Sequence, residues 1–188
     1  MSEPELLELP DRAAWRRWLS RNHGRGRGVW LVIHKQGATT GSLTYEDAVR
    51  EALCFGWIDS TAGSIDGERY RQWMAPRKPG SGWSATNKAR VAELEAEGAI
   101  AAPGREAIER AKADGSWNAL DRIEALEVPP DLLEAFERHD GSRANWDAFP
   151  PSARKMMLAW IEGAKRAETR AKRVEETASR AARNERAR

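Results

Sequence analysis

One cysteine in 188 residues excludes an internal disulfide, and the chain carries only two tyrosines and three histidines. The thiol, Cys54, closes an apolar helical pattern between Leu53 and Phe55, so it reads as buried and structural rather than nucleophilic, in a reducing compartment. Long apolar runs are missing: nothing is long enough to span a bilayer, and the opening MSEPELLELPDR is acidic and lacks the apolar core of a signal peptide. A cytoplasmic protein is the expectation. No second histidine or cysteine stands at ligand spacing from His34, so neither a metal nor a cofactor is expected. HGRGRG at residues 23 to 28 lacks the spacing and the following helix of a phosphate loop, and reads as a basic turn. A nucleophile elbow, a paired-carboxylate spacing and a dinucleotide fingerprint are also absent.

What is abundant is tryptophan: nine, at positions 15, 18, 30, 57, 73, 83, 117, 146 and 160, spread from end to end as packing residues would be. A 40% apolar content supports a real core. The net charge of +2 is unevenly placed, because residues 166 to 188 hold eight Lys/Arg against four Asp/Glu. Basicity therefore belongs to the C-terminal end.

In chain order, residues 6 to 9 read as a short strand, and Asp11 caps a helix over 12 to 21 with Trp15, Trp18 and Leu19 on one face. VWLVIHK at 29 to 35 is apolar on both faces, as a covered strand is. Residues 37 to 42 are loop. Thr44 and Asp47 form a capping pair for the next helix, which Gly56 stops. Residues 55 to 91 concentrate polar and aromatic groups beyond the needs of packing. They read as a β-hairpin turned at Asp66-Gly67, an extended link between Pro76 and Pro79, and a helix capped by Ser84 that Gly98 ends. Pro103 opens a further helix, and Pro129-Pro130 breaks the chain before Leu132, Leu133 and Phe136. Ser152 is placed to cap a helix bearing Met156, Met157, Trp160 and Ile161, and from Lys165 onward the helix formers have few apolar partners after Val174, so the end should fray.

The expected fold is α+β: a small antiparallel or mixed sheet of three or more strands with packed helices, followed by a helical C-terminal region. The expected divisions are an α+β domain at 1–128, a helical region at 129–178 and a basic frayed tail at 179–188.

Three segments resemble the YdeI/OmpD-associated, bacteriocin-protection family: EALCFGWIDS at 51 to 60, PRKPGSGWSATNKARVAELEAEG at 76 to 98, and PPSARKMMLAWIEGAKRAETRAKRVEET at 150 to 177. The resemblance runs over roughly residues 4 to 178. Gly80-Ser81-Gly82 is looser than the family's link before Trp83, and the Arg-rich end beyond Thr177 departs from its pattern. What the resemblance implies is protection against bacteriocins or antimicrobial peptides and a part in stress response, with no catalytic residues to carry over.

Three functions follow from the residues. In the first, Arg77 and Lys78 stand ahead of a helix N-terminus whose amides lack internal partners, so Trp57, Asp59, Arg77, Lys78, Trp83, Ser84 and Asn87 would bind a small anionic or polar ligand, with an indole stacking a flat group. The plainer reading pairs Arg77 and Lys78 with Asp59 or Glu68 across the sheet. In the second, the basic tail binds nucleic acid or an acidic protein in a salt-dependent way. In the third, Asp59 is a catalytic carboxylate of raised pKa, helped by Tyr70, Ser84 or His34.

Overall fold

The computed structural model describes residues 5–35, 37 and 43–187. The chain divides into two compact units, Met1–Ala119 and Leu120–Arg188.

In the first unit, the strand β1 (Leu6–Leu7) leads into α1 (Arg12–Asn22), whose N-terminus is closed by the Asp11 carboxylate accepting from the Ala14 amide at 2.7 Å. Strand β2 (Val29–His34) follows, then α2 (Tyr45–Cys54), where the Thr44 hydroxyl accepts from the Asp47 amide and donates to its carboxylate. Of the loop expected at 37 to 42 only Gly37 belongs to the described residues. Gly56, at φ +72°, makes the turn out of α2 that a side chain would strain. The hairpin is β3 (Trp57–Ser64) and β4 (Arg69–Pro76), and two helices follow, α3 (Ala85–Ala96) and α4 (Ala102–Ala113).

These strands form one mixed sheet in the order β1-β2-β4-β3, with β1 parallel to β2 and β4 antiparallel to both its neighbours. The α+β expectation therefore holds. The hairpin link is four residues, 65 to 68, rather than the two-residue Asp66-Gly67 turn. The reason is the Asp66 carboxylate, which accepts from the amides of Glu68 and Arg69 at 2.9 and 2.7 Å and closes a wider turn.

Alternation along β2 sends Val29, Leu31 and Ile33 into a core with Trp15 and Leu19 of α1, Val49 and Leu53 of α2, Met74 of β4, and Val91 and Leu94 of α3. Each such side chain contributes about 1.5–3 kcal/mol by leaving water. Trp15, Trp18 and Trp57 meet in a three-ring cluster, with Trp15 and Trp18 stacked at 5.2 Å and Trp57 edge-on to both. Buried Glu51 of α2 binds Arg12 at 2.6 Å and Arg16 at 2.7 Å, tying α1 to α2.

The second unit is helical: α5 (Asp121–Glu124), α6 (Pro130–Glu137), α7 (Ser142–Ala148), α8 (Pro151–Glu162) and α9 (Ala167–Ala182). Two sequence boundaries shift here. The division falls ahead of residue 120 rather than at Pro129, because Ile123, Leu126 and Val128 pack on the core built by Leu132, Phe136, Trp146 and Met157. Residues 179 to 182 are not a frayed tail: α9 runs through Ala182, Ala178 and Ala181 are fully buried, and Asn145 Nδ2 donates to the Ala181 carbonyl at 2.8 Å. Small alanines fill this face where the sequence offers no bulky apolar residue. Ser152 is the second residue of α8 rather than its cap, since Pro150 and Pro151 open that helix by their fixed φ. On α9 the pairs Glu168–Lys172 and Glu176–Arg180 form as the spacing predicts, and Arg170 binds Asp131 and Glu162. Among the described residues no helix is long and apolar enough to cross a membrane.

Gly104 packs α4 directly on the end of α2: a Cβ there would lie 2.3 Å from the Cys54 carbonyl oxygen. Gly104→Ala is therefore expected to lower stability by about 1–3 kcal/mol, the usual range for overpacking, measured as a fall in the urea midpoint with unchanged m.

Candidate functional site

The extended link after β4 separates the two cations that stand side by side in sequence. Pro76 ends the strand opposite Trp57, and the Arg77 amide donates to the Gly56 carbonyl at 2.9 Å. This turns the Arg77 side chain inward. Its guanidinium lies over the Trp83 ring at 3.7 Å, donates to the Gly82 carbonyl at 2.9 Å, and is only 6% exposed. Lys78 points to solvent. The converging pair expected from sequence is thus one buried cation and one surface cation, because consecutive residues of an extended chain face opposite ways. The plainer alternative is also absent: among the described residues no carboxylate lies within ion-pair distance of either group.

Burial pulls the Arg77 guanidinium down to about 10, with the negative charge of Asp59 acting in the opposite direction. It remains a cation at neutral pH. Its Nε and the Trp83 indole N–H are both buried without a hydrogen-bond partner among the described residues. Two neighbouring donors without acceptors are an unusual feature, since buried polar groups are nearly always paired. Around them Trp117 packs on Trp83 at 4.9 Å, and the ammonium groups of Lys88 and Lys112 approach Trp117 at 5.4 and 5.7 Å. Between the link and α4, lined by Arg77, Lys78, Trp83, Arg110 and Asp114, is a crevice too narrow for a water molecule. The link closes it from outside, held to the rest by the Gly80 amide donating to Asp114 at 3.3 Å.

The helix that follows uses its cap internally. Ser84 Oγ accepts from the Asn87 amide at 3.3 Å, and Asn87 Oδ1 accepts from Arg90 at 2.9 Å. Arg90 in turn forks onto Glu46 at 2.9 and 2.6 Å. Asp59 accepts from the Tyr45 hydroxyl at 2.8 Å. Burial first, and then that bond to Asp59, push the Tyr45 phenol up to about 12. Tyr70 is raised for the same two kinds of reason, burial and the charge of Asp59.

Of the residues named from sequence, Arg77 and Trp83 form one stack, with Lys78 at its rim and Asp59 acting on Arg77 electrostatically. Ser84 and Asn87 serve the start of α3. Trp57 does not join them: it is 1% exposed in the aromatic cluster under the sheet, and its indole N–H donates to the His23 carbonyl at 3.0 Å. Of the catalytic grouping around Asp59, Tyr70 lies within reach of its charge, while His34 does not join it. His34 lies opposite Arg69 and Asp59 opposite Met74, five β4 residues apart or about 17 Å at ~3.4 Å per residue. The Cys54 thiol is buried, and burial pushes its pKa up. Among the described residues no cluster of three His, Cys, Asp or Glu is placed to hold a metal. Trp117, Arg110, Tyr45 and Arg90 were not legible as neighbours of this site, since helix packing brings them from up to forty residues away and no local pattern marks them.

Residues 7–107 match the family described as Domain of unknown function (DUF8412), and residues 125–184 match the family described as Bacteriocin-protection, YdeI or OmpD-Associated. Of the segments that carry the sequence resemblance, 150 to 177 lies inside the second match, while 51 to 60 and 76 to 98 lie inside the first. No curated protein and no solved structure matches the chain.

The tyrosines give the site a direct readout. A phenol whose folded pKa is raised contributes stability that is present below the ordinary value near 10 and lost as pH climbs through the folded value. Titration of tyrosinate absorbance should show both phenols ionising late, Tyr45 at about 12, and Asp59→Asn should bring Tyr45 downward. A Tyr45 transition unmoved by that substitution would contradict the pairing.

Proposed function

We propose, for a chain that belongs to the family described as Domain of unknown function (DUF8412) and whose C-terminal part is of the bacteriocin-protection, YdeI or OmpD-associated family, that it binds a small anionic or polar ligand at the Arg77–Trp83 stack. The observation that supports the reading is the pair of buried donors, Arg77 Nε and Trp83 Nε1, neither with an acceptor. A buried cation without a carboxylate is costly to maintain, and an anion or carbonyl oxygen delivered to it would form charge-assisted hydrogen bonds in a low-dielectric setting. Lys78 and Arg110 line the same crevice, and with Arg77 they outnumber its one carboxylate, Asp114. Entry requires the exposed Lys78–Pro79–Gly80 turn to swing out, which breaks the bond from the Gly80 amide to Asp114. In this reading the protective role follows from capture of the ligand rather than from chemistry on it, in a reducing cytoplasm that suits the lone buried thiol.

The ligand is expected among phosphate-bearing and carboxylate-bearing metabolites. Tryptophan fluorescence during titration with inorganic phosphate, mononucleotides and di- and tricarboxylates should show a saturable change with at least one, because Trp83 borders the site. Arg77→Ala should weaken that binding by about tenfold or more, in line with the roughly 1.5–3 kcal/mol of a hydrogen bond to a charged group. Spectra that stay flat across the whole panel, or equal affinity in wild type and a folded Arg77→Ala protein, would remove the proposal.

A further inference from the structure

The sheet of the first unit has a second face, and it carries an arrangement the site above does not use. Since Val29, Leu31, Ile33 and Met74 point into the core, alternation places Trp30, Val32 and His34 of β2 and Arg69, Arg71 and Trp73 of β4 on the other side, where Val32 is buried and the two tryptophans are half-buried. Trp30 and Trp73 are direct partners across the two central strands, with rings 5.2 Å apart and edge-on. Arg71 lies over Trp30 at 4.6 Å and is exposed. Two glycines flatten this face. A Cβ on Gly28 would fall 2.7 Å from the Trp73 indole, and one on Gly63 would fall 3.1 Å from Arg71 Nε. Both long side chains can therefore lie along the sheet rather than stand off it.

The charge on this face is unbalanced. Glu8 and Asp66 are both engaged by Arg69, and Asp59, opposite Met74, is on the other face and bonded to Tyr45. Arg71 is left without a carboxylate partner among the described residues, and so is exposed Arg27, next in sequence to Gly28.

We propose that this face binds single-stranded nucleic acid. A guanidinium stacked on an indole offers its second flat side to an unpaired base and its N–H edge to a phosphate, and half-buried tryptophans on adjacent strands supply further apolar surface for a neighbouring base. A second copy of this chain is the poorer occupant, because face-to-face packing would bury unpaired arginines of both copies in one interface. A duplex keeps its bases in its own stack and offers only phosphates. The site is separate from the Arg77–Trp83 stack, which lies beyond the end of β4, and it does not depend on the ligand reading given for that stack.

The test uses the full chain and a fluorescein-labelled oligothymidylate of twelve nucleotides, read by fluorescence anisotropy at several salt concentrations. Saturable binding is expected, with an unlabelled duplex of mixed sequence competing at least tenfold more weakly than the unlabelled single strand. Arg71→Glu, at an exposed position, should weaken binding about tenfold or more and reduce the salt slope by about 0.7 for one lost phosphate contact, with the thermal midpoint unchanged. Trp73→Phe should cost less than Arg71→Glu. Lys172→Glu with Arg180→Glu on α9 should leave binding unaltered. The proposal is overturned by an absence of anisotropy change, by an Arg71→Glu protein that binds like wild type, by equal competition from duplex, or by loss of binding in the α9 variant, which would place the contact on the basic C-terminal helix instead.

Discussion

A guanidinium buried against an indole, 3.7 Å from ring centre to Arg77 Cζ, is the contact on which the first unit's polar end depends. It joins three pieces of chain that local propensity alone would leave independent: the end of β4, the Gly-rich link and the start of α3. Taking the cation out of water is costly, and desolvation is visible in its lowered pKa. What offsets that cost is the ring quadrupole, the Gly82 carbonyl and the field of Asp59. An arginine suits this position where a lysine would not, since a flat delocalised cation can lie on the ring while directing its edge at a carbonyl.

The same logic recurs elsewhere in the molecule. Tryptophan is used here chiefly as a partner for arginine and for other tryptophans: Trp30 under Arg71, Trp18 under Arg25, Trp160 under Arg173, and the Trp15–Trp18–Trp57 cluster. With so few phenylalanines and tyrosines, the indole supplies both apolar bulk and a face that holds a cation near the surface. The sheet then has two chemically different sides. One is packed by helices into the core, and the other carries the Trp30–Trp73 pair with an unneutralised arginine.

Much of this was legible in the residues. The caps at Asp11, Thr44 and Ser84, the hairpin around Asp66, and the stop at Gly56 all rest on interactions within a few positions, and local chemistry fixes them. The departures come from tertiary packing. Ala178 and Ala181 look like surface residues until α9 meets α6 and α7, and Trp57 looks like a ligand platform until α1 supplies Trp15 and Trp18 to cover it. Sequence also could not give the direction of Arg77 and Lys78. Adjacent cations in an extended link must diverge, but which one turns inward depends on where Gly56 and Trp83 lie in space.

Coupling between Arg77 and Trp83 is measured most directly by a double-mutant cycle. Equilibrium urea unfolding of wild type, Arg77→Met, Trp83→Leu and the double variant isolates the pairwise contribution from the cost of each truncation. A desolvated cation over an indole predicts a coupling energy of about 1–2 kcal/mol, with the double variant less destabilised than the sum of the singles. Additive effects, with coupling below about 0.3 kcal/mol, would mean that the two groups merely share a neighbourhood, and the organising role given to the stack would be contradicted.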